Sequence, residues 1–234
     1  MGPGAHGRRI AGGWLISAAT ALVLLGASIA PFLTPAFVRF EQDRTGVGAL
    51  TGFDSGQLDG VTGAILGDLL LWRGDFGVTV DGVPVLSDRE RGHMGDVRGA
   101  FAGFFALALA GAAILAVAFR RARGTEARAA AWRAAAGGAR GLAVGIAVAG
   151  AFAVLAFDAA FELFHRLFFS AGSYTFDPAT DRLVQLFPYQ FWSETAIAVG
   201  VVVLGASILT AWQASRRAGA TRGLPMLATS VARS

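Results

Sequence analysis

GAFAGFFALALAGAAILAVAF, residues 99–119, runs for a full membrane thickness without one charged residue. A hydrocarbon core of about 30 Å takes roughly 20 apolar residues of helix, so the stretch reads as a transmembrane helix. Three others match it. Residues 10–38 are uncharged, with the span proper near 12–33, and residues 195–215 (TAIAVGVVVLGASILTAWQAS) are uncharged as well. The remaining span starts at Gly141, is uncharged to Phe157, and continues through Asp158 and Glu162 to residue 164. Arg8 and Arg9 ahead of the first apolar core also fit a secretory signal. The uncharged run is too long for a signal core and three more spans follow, so an uncleaved first helix is expected.

Composition points the same way. Of 234 residues, 54% are hydrophobic and only 15% charged, against about 25% charged in soluble domains. Mean hydropathy is +0.55. So few charges would leave a soluble surface uncovered, whereas a bilayer removes that need. There is no Cys, which excludes disulfides, thiolate metal ligands and thiol nucleophiles. All 20 basic residues are Arg, and they form no stripe with interleaved aromatics, so no nucleic-acid partner is expected.

The arginines instead orient the spans, because short cytoplasmic loops collect positive residues. The N-terminal segment (Arg8, Arg9), the segment between spans two and three (Arg120, Arg121, Arg123, Arg128, Arg133, Arg140) and the C-terminal segment (Arg216, Arg217, Arg222, Arg233) hold twelve Arg and one acid, Glu126. Residues 39–98 and 162–194 hold eight Arg and fourteen acids. The expectation is an all-α membrane protein, a single integral domain over residues 1–234. Its four transmembrane helices fall near 12–33, 99–119, 141–164 and 195–215, and both termini are cytoplasmic. The linker 120–140 is cytoplasmic and partly helical, and loops 34–98 and 165–194 are extracytoplasmic.

In the long first outer loop, Leu58, Val61, Ile65, Leu69 and Trp72 recur at helical spacing. They suit either a helix lying in the membrane interface or a short helix packed on the bundle. FGVTVDGVPVL, residues 76–86, carries a turn signal at Asp81–Gly82 and fits a short hairpin. The second outer loop is crowded with aromatics from Phe164 to Trp192, the composition of an interfacial belt. Its Asp177–Pro178 reads as a turn ahead of a short helix opening at Asp181 and Arg182.

Chemistry centres on the histidines. His6 stands alone near the N-terminus, but His93 and His165 fall on the same outer side at similar depth. Asp96 follows His93 by three residues and Glu162 precedes His165 by three, with Asp158 a further turn away. A His oriented by a carboxylate is a competent general base near neutral pH. Arg89, Arg91, Arg98 and Arg166 are placed to neutralise these acids or to bind an anionic head group or oxyanion. The same residues also support a purely structural reading, in which Asp158 and Glu162 pair with Arg98 or Arg166 to stitch the bundle. His93, His165, Glu162 and Asp96 have the ligand types of an open zinc site, though without an HExxH-type pair. Without a GxSxG elbow, Ser170, Ser173 and Ser193 are weak nucleophiles.

DRERGHMGDV (88–97), FHRLFF (164–169) and the FDP–D–LFP–FW pattern across 176–192 together resemble the bacterial four-helix family that includes Lit, the lipoprotein intramolecular transacylase. The order of spans and the long first outer loop also match that family. The resemblance implies an acyltransferase in the bacterial cytoplasmic membrane with its active face outside. Its substrate would be the diacylated N-terminus of a membrane lipoprotein, whose sn-2 acyl chain moves from diacylglyceryl-Cys to the Cys α-amino group. No cofactor or metal is implied. The transfer needs a base for the amine proton, an acid for the leaving oxygen and a stabilised oxyanion. His93 and His165 suit the acid and base roles in either order, with Asp96, Glu162 and Asp158 orienting them and Arg89 or Arg166 at the oxyanion or head group. Phe101, Phe104, Phe105 and Phe168 would line the acyl chains. The sequence also admits two rival readings: a metal-assisted outer-leaflet lipid hydrolase, and a non-catalytic protein binding lipid or an envelope partner.

Overall fold

The structure, a computed structural model, describes residues 3–170 and 172–223, with side chains over 12–170 and 172–220. His6, Arg8, Arg9, Arg222 and Arg233 lie outside the described side chains. The chain is helical almost throughout. Helices α1 (Pro3–Ile29), α5 (Asp88–Arg121), α6 (Thr125–Leu155) and α9 (Tyr189–Gly223) are the long ones. Four segments have the length and apolar character to cross a membrane: Gly12–Leu33, Asp88–Arg121, Thr125–Leu155 and Tyr189–Ala220. Between α1 and α5 stand α2 (Pro35–Arg44), α3 (Val47–Thr51), α4 (Ser55–Leu71) and the strands β1 (Thr79–Val80) and β2 (Val83–Pro84). Helices α7 (Phe157–Phe168) and α8 (Arg182–Leu186) separate α6 from α9.

The third span is placed differently from its sequence reading. Helix α6 starts at Thr125, so most of residues 120–140 is helix, and only the turn at Gly124 (φ +86°) interrupts the chain after α5. At 31 residues, a helix of about 1.5 Å per residue already exceeds the hydrocarbon thickness. It ends before the acids: Ala156 leaves helical geometry (φ −150°, ψ 60°), and α7 restarts with Asp158 in its first turn, where a negative charge meets the positive end of the helix dipole.

The chain divides into two compact units. One comprises residues 1–28, 106–148 and 201–234. Its packing relies on small residues, with Ala135, Ala136 and Ala214 buried against Ile16, Phe119 and Trp132. Ser17 Oγ donates to the carbonyl of Ala134 at 2.8 Å, and a Cβ on Gly138 would fall on the backbone carbonyl of Ser17. Such close backbone approach is how membrane helices associate without a hydrophobic driving force. Gly138→Ala is therefore expected to destabilise the protein by about 1–3 kcal/mol through overpacking against backbone that cannot yield. Thermal unfolding in detergent checks this, and an unchanged midpoint would contradict the contact.

The other unit comprises residues 29–105 and 149–200. Its core gathers Val38, Val47, Leu58, Val61, Ile65, Leu69, Phe76, Leu186 and Phe191 with their neighbours. Leu58, Val61, Ile65 and Leu69, the stripe that suited either a membrane interface or bundle packing, are thus buried inside the protein. Helix α4 begins with a reciprocal cap, Gln57 N–H donating to Asp54 Oδ1 at 2.8 Å and Asp54 N–H to Gln57 Oε1 at 3.1 Å. Strands β1 and β2 pair antiparallel about Asp81 (φ +53°) and Gly82 (φ +77°), both in the left-handed region that a two-residue I′ hairpin requires. The fully buried Gln42 ties three elements together. Its amide donates to the Leu186 carbonyl (3.2 Å), and its oxygen accepts from Thr62 Oγ1 (2.8 Å).

Candidate active site

His93 lies in the second turn of α5, a helix started by Ser87 and Glu90. Ser87 N–H and Oγ–H both donate to Glu90 Oε2 at 2.7 Å, and Ser87 Oγ faces Glu90 N–H at 3.4 Å. This is the S-x-x-E capping box, in which side chains satisfy the orphan donors of a helix start. The other carboxylate oxygen of Glu90 accepts from Leu183 N–H at 2.6 Å. The buried Glu90 thereby fixes α8 to the turn that presents His93.

His165 comes from the last turn of α7. It and His93 are both buried, 8% and 7% exposed. Their rings stack with centroids 6.1 Å apart and planes inclined by 24°. Phe169 (5.0 Å) and Phe176 (5.5 Å) present edges to His93, while Phe161 (4.1 Å) and Tyr174 (5.0 Å) flank His165. The Nδ1 of His165 lies 2.8 Å from the carbonyl of Phe161. A carbonyl only accepts, so Nδ1 carries the proton, and a neutral ring keeps its lone pair on Nε2. The Nδ1 of His93 is buried with no hydrogen-bond partner among the described residues. Buried polar atoms are nearly always paired, and the exceptions go with strain, catalytic roles or bound water.

The structure distributes the remaining predicted residues unevenly. Glu162 accepts from Arg166 Nε (2.7 Å) and from the Tyr174 hydroxyl (3.3 Å), and reaches His165 only through Tyr174. Asp96 and Asp158 are exposed and hydrogen-bond neither histidine. Arg89 donates to the Thr175 carbonyl (3.0 Å) and to Asp181 Oδ2 (2.7 Å), and lies over the Phe176 ring at 4.8 Å. It thereby holds the loop that walls the histidines. Asp181 also accepts from Asp177 N–H at 2.7 Å, closing the turn before α8. Arg91 pairs with Asp75. Arg98 donates to the Gly74 carbonyl at 2.8 Å and stacks on Trp72 at 4.4 Å. Phe101 packs on the core of this unit and on Phe105, which in turn meets Phe104 at 5.2 Å. Phe168 is exposed beside Phe164.

Sequence reading missed Glu90, Tyr174, Phe169 and Phe176 as site residues. For Glu90 the signal was present, in S-x-x-E ahead of a long helix. For the rings it was not, since a loop residue's distance from a histidine is set by the fold. Among the described residues no three His, Asp or Glu side chains gather as a metal-ligand set. Two imidazoles in an aromatic enclosure, one with its tautomer fixed, are groups able to accept and release a proton.

The family model described as lipoprotein intramolecular transacylase Lit matches residues 14–192. No curated protein matches the chain by sequence. Among solved structures, that of the membrane-integral lipoprotein intramolecular transacylase Lit from Bacillus cereus superimposes with a TM-score of 0.70 at 19% identity, covering 93% of this chain and 99% of that one. A histidine-to-arginine variant of the Bacillus cereus protein gives a TM-score of 0.70 at 18% identity, with 93% and 95% covered. At these identities the superpositions establish a shared fold.

Proposed function

Because the chain belongs to the Lit family of lipoprotein intramolecular transacylases, we propose that His93 and His165 carry its acyl transfer, on the diacylated N-terminus of a membrane lipoprotein at the extracytoplasmic face of the bacterial cytoplasmic membrane. The protein is an integral membrane acyltransferase. The observation that carries the residue assignment is the buried ring pair 6.1 Å apart, with His165 Nδ1 bound to a carbonyl.

In the proposed reaction the α-amino nitrogen of the lipidated Cys attacks the sn-2 ester carbon. The N–C bond forms, and His165, entering neutral, takes the amine proton on Nε2. The tetrahedral oxyanion collapses, the bond from carbon to the sn-2 oxygen breaks, and that oxygen takes a proton from the histidine pair, with His93 as the acid. One proton has moved from nitrogen to oxygen and nothing else is consumed. Amine and ester belong to one molecule, so no two-body encounter is needed, and the site saves the internal-rotation entropy of holding them in register. No protein nucleophile is required, in keeping with a chain that has no Cys and no serine elbow. Arg166, exposed one residue from His165, is placed for the oxyanion or a polar head group. Arg89 acts by holding the Thr175–Asp181 loop. Asp96 and Asp158 are exposed, hydrogen-bond neither ring and carry no step of the transfer. Phe101, Phe104, Phe105 and Phe168 line the path of the acyl chains, in the outer leaflet.

Arg89→Ala releases the loop carrying Phe176 and is expected to slow transfer on the order of 10–100-fold, the usual cost of misplacing reacting groups. Arg89 is half exposed though Asp181 is largely covered, so the pair adds about 1 kcal/mol and the melting temperature should fall by only about 2–4 °C. A rate equal to wild type would contradict the positioning role. The reaction itself is tested by adding full-length protein in proteoliposomes to a diacylated reporter lipoprotein and analysing its N-terminal peptide by mass spectrometry. An N-acylated, sn-2-deacylated peptide is expected, and an unchanged diacyl peptide overturns the reading.

A further inference from the structure

The unit made of residues 1–28, 106–148 and 201–234 takes no part in the proposed chemistry, yet it holds twelve of the 20 Arg and one acid, Glu126. Between α6 and α9 of this unit lies a cleft of about 390 Å³ lined by Arg133, Ala136, Arg140, Ser215, Ala218 and Gly219. The small residues open the space and the two guanidiniums rim it. Arg140 donates to Ser215 Oγ at 2.6 Å, and that hydroxyl donates onward to the Ala211 carbonyl at 2.7 Å. Arg133 is exposed and has no hydrogen bond or ion pair among the described residues. Among the described residues neither Arg133 nor Arg140 pairs with an acid, and Glu126 is the only acidic side chain in the unit's sequence, so the cleft can take a negative charge from a ligand.

The rest of the α9 surface says what form that charge takes. Ile208, Trp212, Ser215 and Gly219 follow one another at i, i+4, i+7 and i+11, a single stripe. Its first part is an apolar hollow of about 420 Å³ lined by Gly205, Ile208, Leu209 and Trp212, with the last three of these more than half exposed. A ligand with an anionic head and an apolar tail fits both parts of the stripe, whereas free phosphate fits only one. Arg216 stacked on Trp212 (4.3 Å) and Arg217 on Trp132 (4.9 Å) mark the level of the membrane–water boundary. We propose that the Arg133–Arg140–Ser215 cleft binds the phosphate of an anionic membrane phospholipid, with an acyl chain along Gly205–Trp212. The bound lipid screens the arginines of α6 from those of α9.

Native mass spectrometry of the full-length protein tests the site, titrating separately with phosphatidylglycerol, phosphatidylcholine and inorganic phosphate. A charge near the membrane surface contributes roughly a factor of five, so R133Q/R140Q should weaken phosphatidylglycerol retention about thirtyfold. R120Q/R121Q removes the same charge from outside the cleft and should leave retention unchanged. Gly219→Leu keeps every charge and fills the cleft. A Cβ there meets nothing within 4 Å, so this variant should fold normally and lose the lipid. Equal losses in R133Q/R140Q and R120Q/R121Q, unchanged retention in Gly219→Leu, or displacement of the lipid by millimolar phosphate would each overturn the proposal.

Discussion

His165→Ala will slow acyl transfer by about 10²–10⁴-fold, the contribution of a positioned acid or base. The ring does two separable things. Its Nδ1–H closes a 2.8 Å bond to the Phe161 carbonyl, and its Nε2 is left to accept a proton. It also fills the space between Phe161, Tyr174 and Phe169, so alanine leaves a cavity as well as removing a base. His165→Asn separates the two effects. An Asn amide nitrogen sits close to where Nδ1 sits, so it can keep the bond to the Phe161 carbonyl, but it offers no basic lone pair. It should therefore melt nearer to wild type than the alanine variant and transfer equally slowly. If His165→Asn keeps more than a tenth of the wild-type rate, His165 is a packing residue and the acid–base assignment fails.

Glu90→Ala should be the most damaging change outside the histidines. The carboxylate is 2% exposed and accepts from Ser87 N–H, Ser87 Oγ–H and Leu183 N–H. Alanine removes the cap of α5 and leaves the Leu183 N–H buried without an acceptor. An unsatisfied buried donor costs about 1–3 kcal/mol and a lost cap about 1 kcal/mol, so a total near 2–4 kcal/mol is expected. Glu90→Gln should recover only part of this, because its NH₂ group meets another donor. Hydrogen exchange offers a local readout. Amides of Arg182–Leu186 should lose protection in Glu90→Ala before those of α6 do. Uniform loss across both units, or none, would contradict the anchoring role. His93 lies three residues beyond Glu90 on the same helix, so transfer should slow in step with the local opening.

The membrane helices were legible because a bilayer imposes a simple rule, long uncharged runs ended by Arg, and residues 99–119 obey it without exception. Packing against protein was not legible. The Leu58–Leu69 stripe has the same spacing whether it faces lipid or a core, and only the tertiary structure decides. The end of α6 escaped for a related reason. Residues 141–164 are apolar enough to continue as one helix, but Ala156 leaves helical geometry and α7 restarts with Asp158 in its first turn. At the site, the meeting of His93 with His165 followed from topology, because two helix ends on one side share a level. The partners of those rings did not follow. Spacing placed Glu162 one turn from His165, yet it equally placed Glu162 four residues from Arg166, and that i, i+4 ion pair is the one formed. The enclosing rings, Phe169, Tyr174 and Phe176, come from a loop with no periodicity to read.

One histidine pair is proposed to move an acyl chain within a single lipoprotein molecule. A crossover experiment tests it most directly. Two reporter lipoproteins, one carrying deuterated acyl chains and the other unlabelled, are mixed with the full-length protein in proteoliposomes, and their N-terminal peptides are read by mass spectrometry. The account predicts N-acylated lyso peptides in which each reporter keeps its own label, and no such product from His93→Ala or His165→Ala. Label exchanged between reporters, or the same product from either histidine variant, would contradict it.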